Sequence, residues 1–254
     1  MQLTMLGVGS SAGTPVVGCN CATCKSDNPR NKRTRCSSLI TLDSGENILI
    51  DTGPDLRGQS LREKIKRVDA VLYTHTHADH LHGIDDLRAF CQIQHQQIPL
   101  YAKEDAVEHI KQKFGYVLRA PSDFWDLPVL RTEIVHEPFK LFGITIKPIP
   151  VMHGRSHILG YRIGNIAYMT DVSEIPESSF ALLEDLDIVL LDCLREKLHP
   201  THINIEQSLA YIGRIKAKQS YMIHMTHELE YVSLSKKLPK DVFVGFDGLK
   251  LHIS

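Results

Sequence analysis

The chain carries almost no net charge: 29 Lys plus Arg against 30 Asp plus Glu leave a formal charge of -1 over 254 residues. An extended, strongly basic nucleic-acid surface is therefore not expected, and such a contact would need a local patch. No apolar run approaches the roughly 20 residues that span a bilayer, so no membrane partner is expected. The opening MQLTMLGVGSSAG has no basic leader and reads as a strand entering a glycine turn, which argues against a secretory segment. Low-complexity linkers and exact repeats are also lacking. The expectation is a cytoplasmic globular chain that, with 43% apolar and 23% charged residues, can bury one substantial core.

Cysteine is scarce as well, at six residues, but three of them crowd into GCNCATCK as Cys19, Cys21 and Cys24. Three neighbouring thiols do not make a disulfide framework; they suit a tetrahedral zinc that still needs one ligand. A redox-active pair or incidental buried thiols are the alternatives, although the Cys21 to Cys24 spacing lacks the helix-and-strand context of a thioredoxin-like site.

What the chain has in concentration is histidine. In VLYTHTHADH an apolar, strand-like run delivers His75, His77, Asp79 and His80. Neutral imidazole suits borderline divalent metals, and a carboxylate adds a hard oxygen that can also orient water. If the strand continues, His75 and His77 point the same way, while Asp79 and His80 diverge at the following turn, so one loop can serve two metals. Val71, Leu72 and Tyr73 already supply the apolar burial there, so the polar residues after them need another reason.

This run resembles the HxHxDH signature of the metallo-β-lactamase fold hydrolases. On that resemblance His153 in PVMHG completes a first metal site with His75 and His77. Asp171 in IAYMTDV matches the carboxylate that bridges both metals, and His224 in YMIHMTH joins Asp79 and His80 on the second. The closest branch is that of the phosphoribosyl 1,2-cyclic phosphate phosphodiesterases (PhnP-like), which have a CxCxxC loop closed by a histidine just after the last active-site ligand. That implies His227 as the fourth ligand of the thiol zinc, a choice that spacing alone does not make among 14 histidines. The family's early Asp-x-Gly motif falls on Asp51 and Gly53, where Asp51 is expected to hold loop backbone or a ligand histidine. RTRCSS resembles a phosphate-meeting approach to the second strand, making Arg33, Arg35 and Ser37 candidate substrate-binding residues. In LHPTHINIEQS, Asn204 can cap a helix while His202 faces the cleft as the candidate acid, with His199 its competitor.

Short apolar or β-branched runs bounded by turn residues place strands at 3–6, 38–42, 47–51, 70–74, 99–101, 144–149, 158–163, 166–169, 188–192, 219–223 and 249–252. Helices fit 83–94, 103–113, 177–183, 205–216 and 230–237, and 116–128 is either a cleft loop or a connector. The fold class is α/β, with two similar halves in one domain over 1–254 and a zinc loop at 19–24; the resemblance makes it the αββα sandwich of two mixed sheets flanked by helices.

The implied activity is that of a dinuclear metal-dependent phosphodiesterase. Two divalent ions, zinc or manganese with iron also acceptable to these ligands, act beside one structural zinc, with Asp79 and His202 as catalytic groups. The implied substrate is a small phosphorylated sugar, 5-phosphoribosyl 1,2-cyclic phosphate opening to ribose 1,5-bisphosphate in phosphonate metabolism. A homodimer is expected from the family alone. Alternatives within the fold are a PqqB-like hydrolase, a tRNA 3' processing-type nuclease and a glyoxalase II-type thioesterase; outside catalysis stands a metal-stabilised binding protein.

Overall fold

A computed structural model describes residues 1–118 and 130–253. Most of the stretch at 116–128, expected as a cleft loop or connector, lies outside the described residues. The chain divides into two compact units, one formed by Met1–Leu6, Ser37–His136 and Lys250–Ser254, the other by Gly7–Cys36 and Glu137–Leu249.

The first unit is built on a mixed seven-stranded sheet. Along the chain its strands are β1 (Gln2–Gly7), β2 (Ser37–Thr41), β3 (Asn47–Ile50), β4 (Ala70–Leu72), β5 (Pro99–Ala102), β6 (Arg131–Ile134) and β14 (Lys250–His252), in the order β14-β1-β2-β3-β4-β5-β6. Strands β3 to β6 run parallel, while β2 and β14 make antiparallel pairs. Ile48, Leu49, Ile50, Val71 and Leu72 are wholly buried, as expected of parallel strands covered on both faces. Its helices are α2 (Leu56–Glu63), α3 (Ala78–Leu81), α4 (Leu87–Gln94) and α5 (Glu104–Phe114). Leu87, Phe90 and Cys91 of α4 and Val107 and Ile110 of α5, at three- and four-residue spacing, join Leu49, Val71 and Leu100 in one core.

The second unit repeats the plan. Its strands β7 (Phe139–Leu141), β8 (Ile144–His153), β9 (Ser156–Ile163), β10 (Ile166–Met169), β11 (Ile188–Asp192), β12 (Gln219–Ile223) and β13 (Val242–Val244) lie in the order β13-β12-β11-β10-β9-β8-β7. Parallel pairing joins β10 to β13 and antiparallel pairing β7 to β10. Helices α1 (Ala22–Lys25), α6 (Ile205–Ile215) and α7 (Tyr231–Ser235) complete it, and the expected helix at 177–183 is a 3-10 helix, Glu177–Leu183. Two mixed sheets with attendant helices agree with the expected fold class. Among the described residues, no helix is long and apolar enough to cross a membrane.

Candidate metal centres and their acid–base partner

Polar chemistry gathers at the carboxyl ends of the parallel strands, where open α/β sheets place their ligands. In the first unit β3 ends into Asp51, and β4 ends three residues before His75. The chain does not continue as a strand to a turn, as the sequence suggested; it passes through His77 as N-cap into the four-residue α3, which carries Asp79 and His80. The rings of His75 lie 4.6 Å from His77 and 4.4 Å from His80 between centroids.

Asp51 organises this loop. Its wholly buried carboxylate accepts from the Thr74 amide, the Thr74 hydroxyl and His80 Nδ1, each at 2.8 Å. Burial pushes its carboxyl pKa up, against the pull of His80 and Thr74. Because the Thr74 hydroxyl gives its one proton to Asp51, it can only accept from His75 Nδ1, 3.0 Å away. Both His75 and His80 therefore carry Nδ1–H, leaving Nε2 as the lone pair for a metal; His80 Nε2 is 3.2 Å from Asp79 Oδ2. Asp51 thus takes the supporting role expected from the sequence.

In the second unit His153 follows the same logic. Its Nδ1 lies 2.8 Å from the Thr201 carbonyl, an acceptor only, which again puts the ring's lone pair on Nε2. Asp171 follows β10 and His224 follows β12, both in the left-handed region at φ 57° and 58°, and Asp51 shares it at φ 60°. Such backbone is costly for these residues and concentrates at functional sites. His224 Nε2 is 3.4 Å from Asp171 Oδ2, and the Thr170 hydroxyl donates to the same oxygen at 2.7 Å.

His202 stacks on His224 at 4.9 Å and lies 4.8 Å from the ring of His153. Its Nδ1 meets Asp192 Oδ2 at 3.0 Å and its Nε2 points toward Asp171 Oδ1 at 3.9 Å. The competitor His199 sits 5.2 Å from the His202 ring, with Nδ1 turned to the Thr201 hydroxyl at 3.2 Å. Asp192, wholly buried at the end of β11, escaped the sequence reading. Its signal was there: IVLLD ends an apolar strand on a carboxylate just as ILID does at Asp51. Asn204 makes a full capping box with Gln207 at the start of α6, as its position suggested.

The thiol loop and His227 form a second cluster, wholly within the second unit. His227 Nδ1 lies 3.4 Å from Cys19 Sγ and 3.2 Å from Cys21 Sγ, and one donor atom from each of Cys19, Cys21, Cys24 and His227 falls within 4.8 Å of the others. A tetrahedral zinc with bonds of about 2.3 Å holds its thiolates roughly 3.8 Å apart, so this donor set fits one. The Cys24 amide foremost, then His227, draws the Cys21 thiol down to about 6, while burial pushes Cys24 up.

The phosphate candidates fare differently. Arg33 is 1% exposed, its Nη1 and Nη2 donating to the carbonyls of Thr226 and Leu229 at 2.9 and 2.5 Å. Ser37 is buried and its hydroxyl is taken by the carbonyls of Ile50 and Asp51. Both placements serve the backbone rather than an open phosphate contact. Arg35 remains half-buried, with Nε on the Ser11 carbonyl at 3.2 Å.

Residues 46–225 match the Beta-lactamase superfamily domain. A crystal structure of a new diphosphatase from the PhnP family is 42% identical, with a TM-score of 0.93, covering 100% of this chain and 98% of that one. Zinc-bound PqqB from Methylobacterium extorquens shares the fold at 20% identity and a TM-score of 0.80 over the full length of both chains. An octanoyltransferase of Porphyromonas gingivalis is 38% identical over 260 residues, spanning 100% of this chain and 52% of that protein, so the chain covers about half the length of this curated relative. With a superfamily match over most of its residues and a PhnP-family structure matched end to end, the chain belongs to the PhnP family of the β-lactamase superfamily.

Proposed function

We propose that the protein hydrolyses a phosphoric diester of a small phosphorylated sugar, 5-phosphoribosyl 1,2-cyclic phosphate in the first instance, giving ribose 1,5-bisphosphate. The observation that carries this reading is His202, held by Asp192 with Nε2 turned toward Asp171, because a cyclic diester needs a proton donor for the sugar oxygen that leaves. His75, His77, His153, Asp79, His80 and His224 would hold two divalent ions, zinc, manganese or iron, with Asp171 common to both. When bound, such ions supply Lewis acidity toward the phosphoryl oxygens and lower the pKa of water.

The chain's own residues do the rest. Asp79 orients the attacking water toward phosphorus. As the phosphorus–oxygen ester bond breaks, His202 passes its Nε2 proton to the departing sugar oxygen, and Asp192 keeps the ring in place through Nδ1–H and stabilises its charged form. Cys19, Cys21, Cys24 and His227 would hold a structural zinc.

A second reading, cleavage of a diphosphate bond, is favoured by the PhnP-family relative at 42% identity, a diphosphatase. Phosphorus NMR of the protein loaded with zinc or manganese, given the cyclic sugar phosphate and a nucleoside diphosphate-sugar in parallel, separates the two. Ring opening by the intact protein and not by Asp171→Ala supports the diester reading. Cleavage of the diphosphate alone replaces it with the second, and no turnover by protein holding both ions overturns both.

A further inference from the structure

We propose that Arg33 is the positioning residue of the thiol clip, its main chain holding the entry to the cysteine loop and its guanidinium holding the two carbonyls that flank His227. The inference rests on reading Cys19, Cys21, Cys24 and His227 as a zinc site. Its basis is that one residue bonds to Thr14, ahead of the cysteine loop, and to Thr226 and Leu229 on either side of His227, segments whose donors stand up to 208 positions apart in sequence.

On the cysteine side, Arg33 and Thr14 exchange two backbone hydrogen bonds, Arg33 N to Thr14 O and Thr14 N to Arg33 O, both at 2.8 Å. Two residues on, Val16 receives the Cys19 amide on its carbonyl at 3.0 Å and gives its own amide to Cys24 Sγ at 3.4 Å. The loop therefore leaves a point that Arg33 fixes. There is no slack beneath it: a Cβ on Gly9 would come within 2.8 Å of the Arg33 carbonyl.

On the histidine side, the guanidinium spans from Thr226 O to Leu229 O, one residue before His227 and two after. Asp247 and Glu230 oppose the cost of burying the charge, which draws the side chain only to about 10, so it stays cationic at neutral pH. Charge-assisted bonds from a planar fork fix two acceptors at once, and a lysine ammonium on a flexible stem does not reproduce that geometry. The fork works alongside Asn31, whose side chain donates to Ser26 Oγ at 3.0 Å and to Glu230 Oε1 at 2.8 Å and accepts from the Tyr231 amide at 2.8 Å.

Supporting groups behind metal ligands are worth about 10- to 100-fold in affinity. The test uses the full chain, stripped of metal and titrated with cobalt(II) against a competing chelator. The readout is thiolate-to-cobalt charge-transfer absorption, which the histidine and carboxylate donors elsewhere do not give. Arg33→Met is expected to weaken the cobalt that gives this band by about tenfold or more, and Arg33→Lys by a smaller factor. Arg33→Lys carries the test by itself if Arg33→Met does not fold. A role in general stability alone would lower the unfolding temperature of both variants and leave cobalt affinity within twofold of wild type, which would overturn the proposal. Absence of the band in the wild-type protein would sink the zinc reading and Arg33's role with it.

Discussion

His202 can release a proton only from Nε2, because Nδ1–H is committed to Asp192 at 3.0 Å. His199 has its Nδ1 turned to Thr201, and burial foremost, then the neighbouring His202, lowers its pKa below that of an ordinary histidine. His202→Ala is accordingly expected to lower kcat by about 10²- to 10⁴-fold. His199→Ala should change it only a few-fold, and bound metal, measured by emission spectroscopy, should stay the same in both. An equal loss in the two variants would move the donor role to the pair. The thiol clip gives a second residue-scale test. A folded-state pKa of about 6 for Cys21, against an ordinary 9.0, means the folded chain favours the thiolate. Its stabilisation is fully present above pH 9 and is lost as pH falls toward 6. In metal-free protein, alkylation of Cys21 followed by mass spectrometry should rise with a midpoint near pH 6, well below that of Cys24. A midpoint at the ordinary thiol value would remove the hydrogen bonds from the account.

At the scale of elements, what could be read in advance follows from where each strand sits. Ile166–Met169, Ile188–Asp192 and Gln219–Ile223 lie inside the second sheet as apolar runs, and their bounds were legible to the residue. The strands that escaped notice, Arg131–Ile134, Phe139–Leu141 and Val242–Val244, are three edge strands, short and partly exposed, where burial imposes no continuous pattern. Helix Leu56–Glu63 was missed for a related reason: its buried face is Leu56, Gln59 and Ser60, mostly polar, so no apolar stripe announces it. The packing of elements also makes a prediction at Gly83. Its amide donates to the Thr52 carbonyl at 2.7 Å, and a Cβ there would meet the Gly53 carbonyl at 2.1 Å, backbone against backbone. Thr52 in turn donates its amide to the His80 carbonyl at 2.7 Å, so the turn after Asp51 is pressed against the helix that carries Asp79 and His80. Gly83→Ala should destabilise the fold by about 1–3 kcal/mol in urea unfolding. It should also lower active-site metal occupancy; unchanged occupancy in a folded variant would show that the turn tolerates the shift.

Over the whole molecule, the candidate metal donors divide by how far apart they stand. His75, His77, Asp79 and His80 announce themselves within six residues of one unit, whereas His153, Asp171 and His224 are single residues at separate strand ends of the other, legible only through a family pattern. His227 lies at the limit of that reading. No local rule selects it, because its partners are Cys19 and Cys21 across 208 and 206 positions of chain. That same separation gives the clip its expected weight in stability. A permanent link across a loop of this length removes about 5 kcal/mol of chain entropy from the unfolded state, an upper bound for a metal bridge that can dissociate. For a chain of this size each kcal/mol moves the unfolding midpoint by about 2–4 °C. Cys21→Ser should therefore unfold about 10 °C below the zinc-loaded wild type, and stripping zinc from the wild type should erase most of the difference. If the active-site donors are loaded to the same extent in both proteins, kcat at low temperature should change much less than the midpoint, since the lost bonds lie in the clip. Calorimetry on the two proteins with and without chelator decides it: equal midpoints in the presence of zinc would mean that the four donors meet without closing the chain.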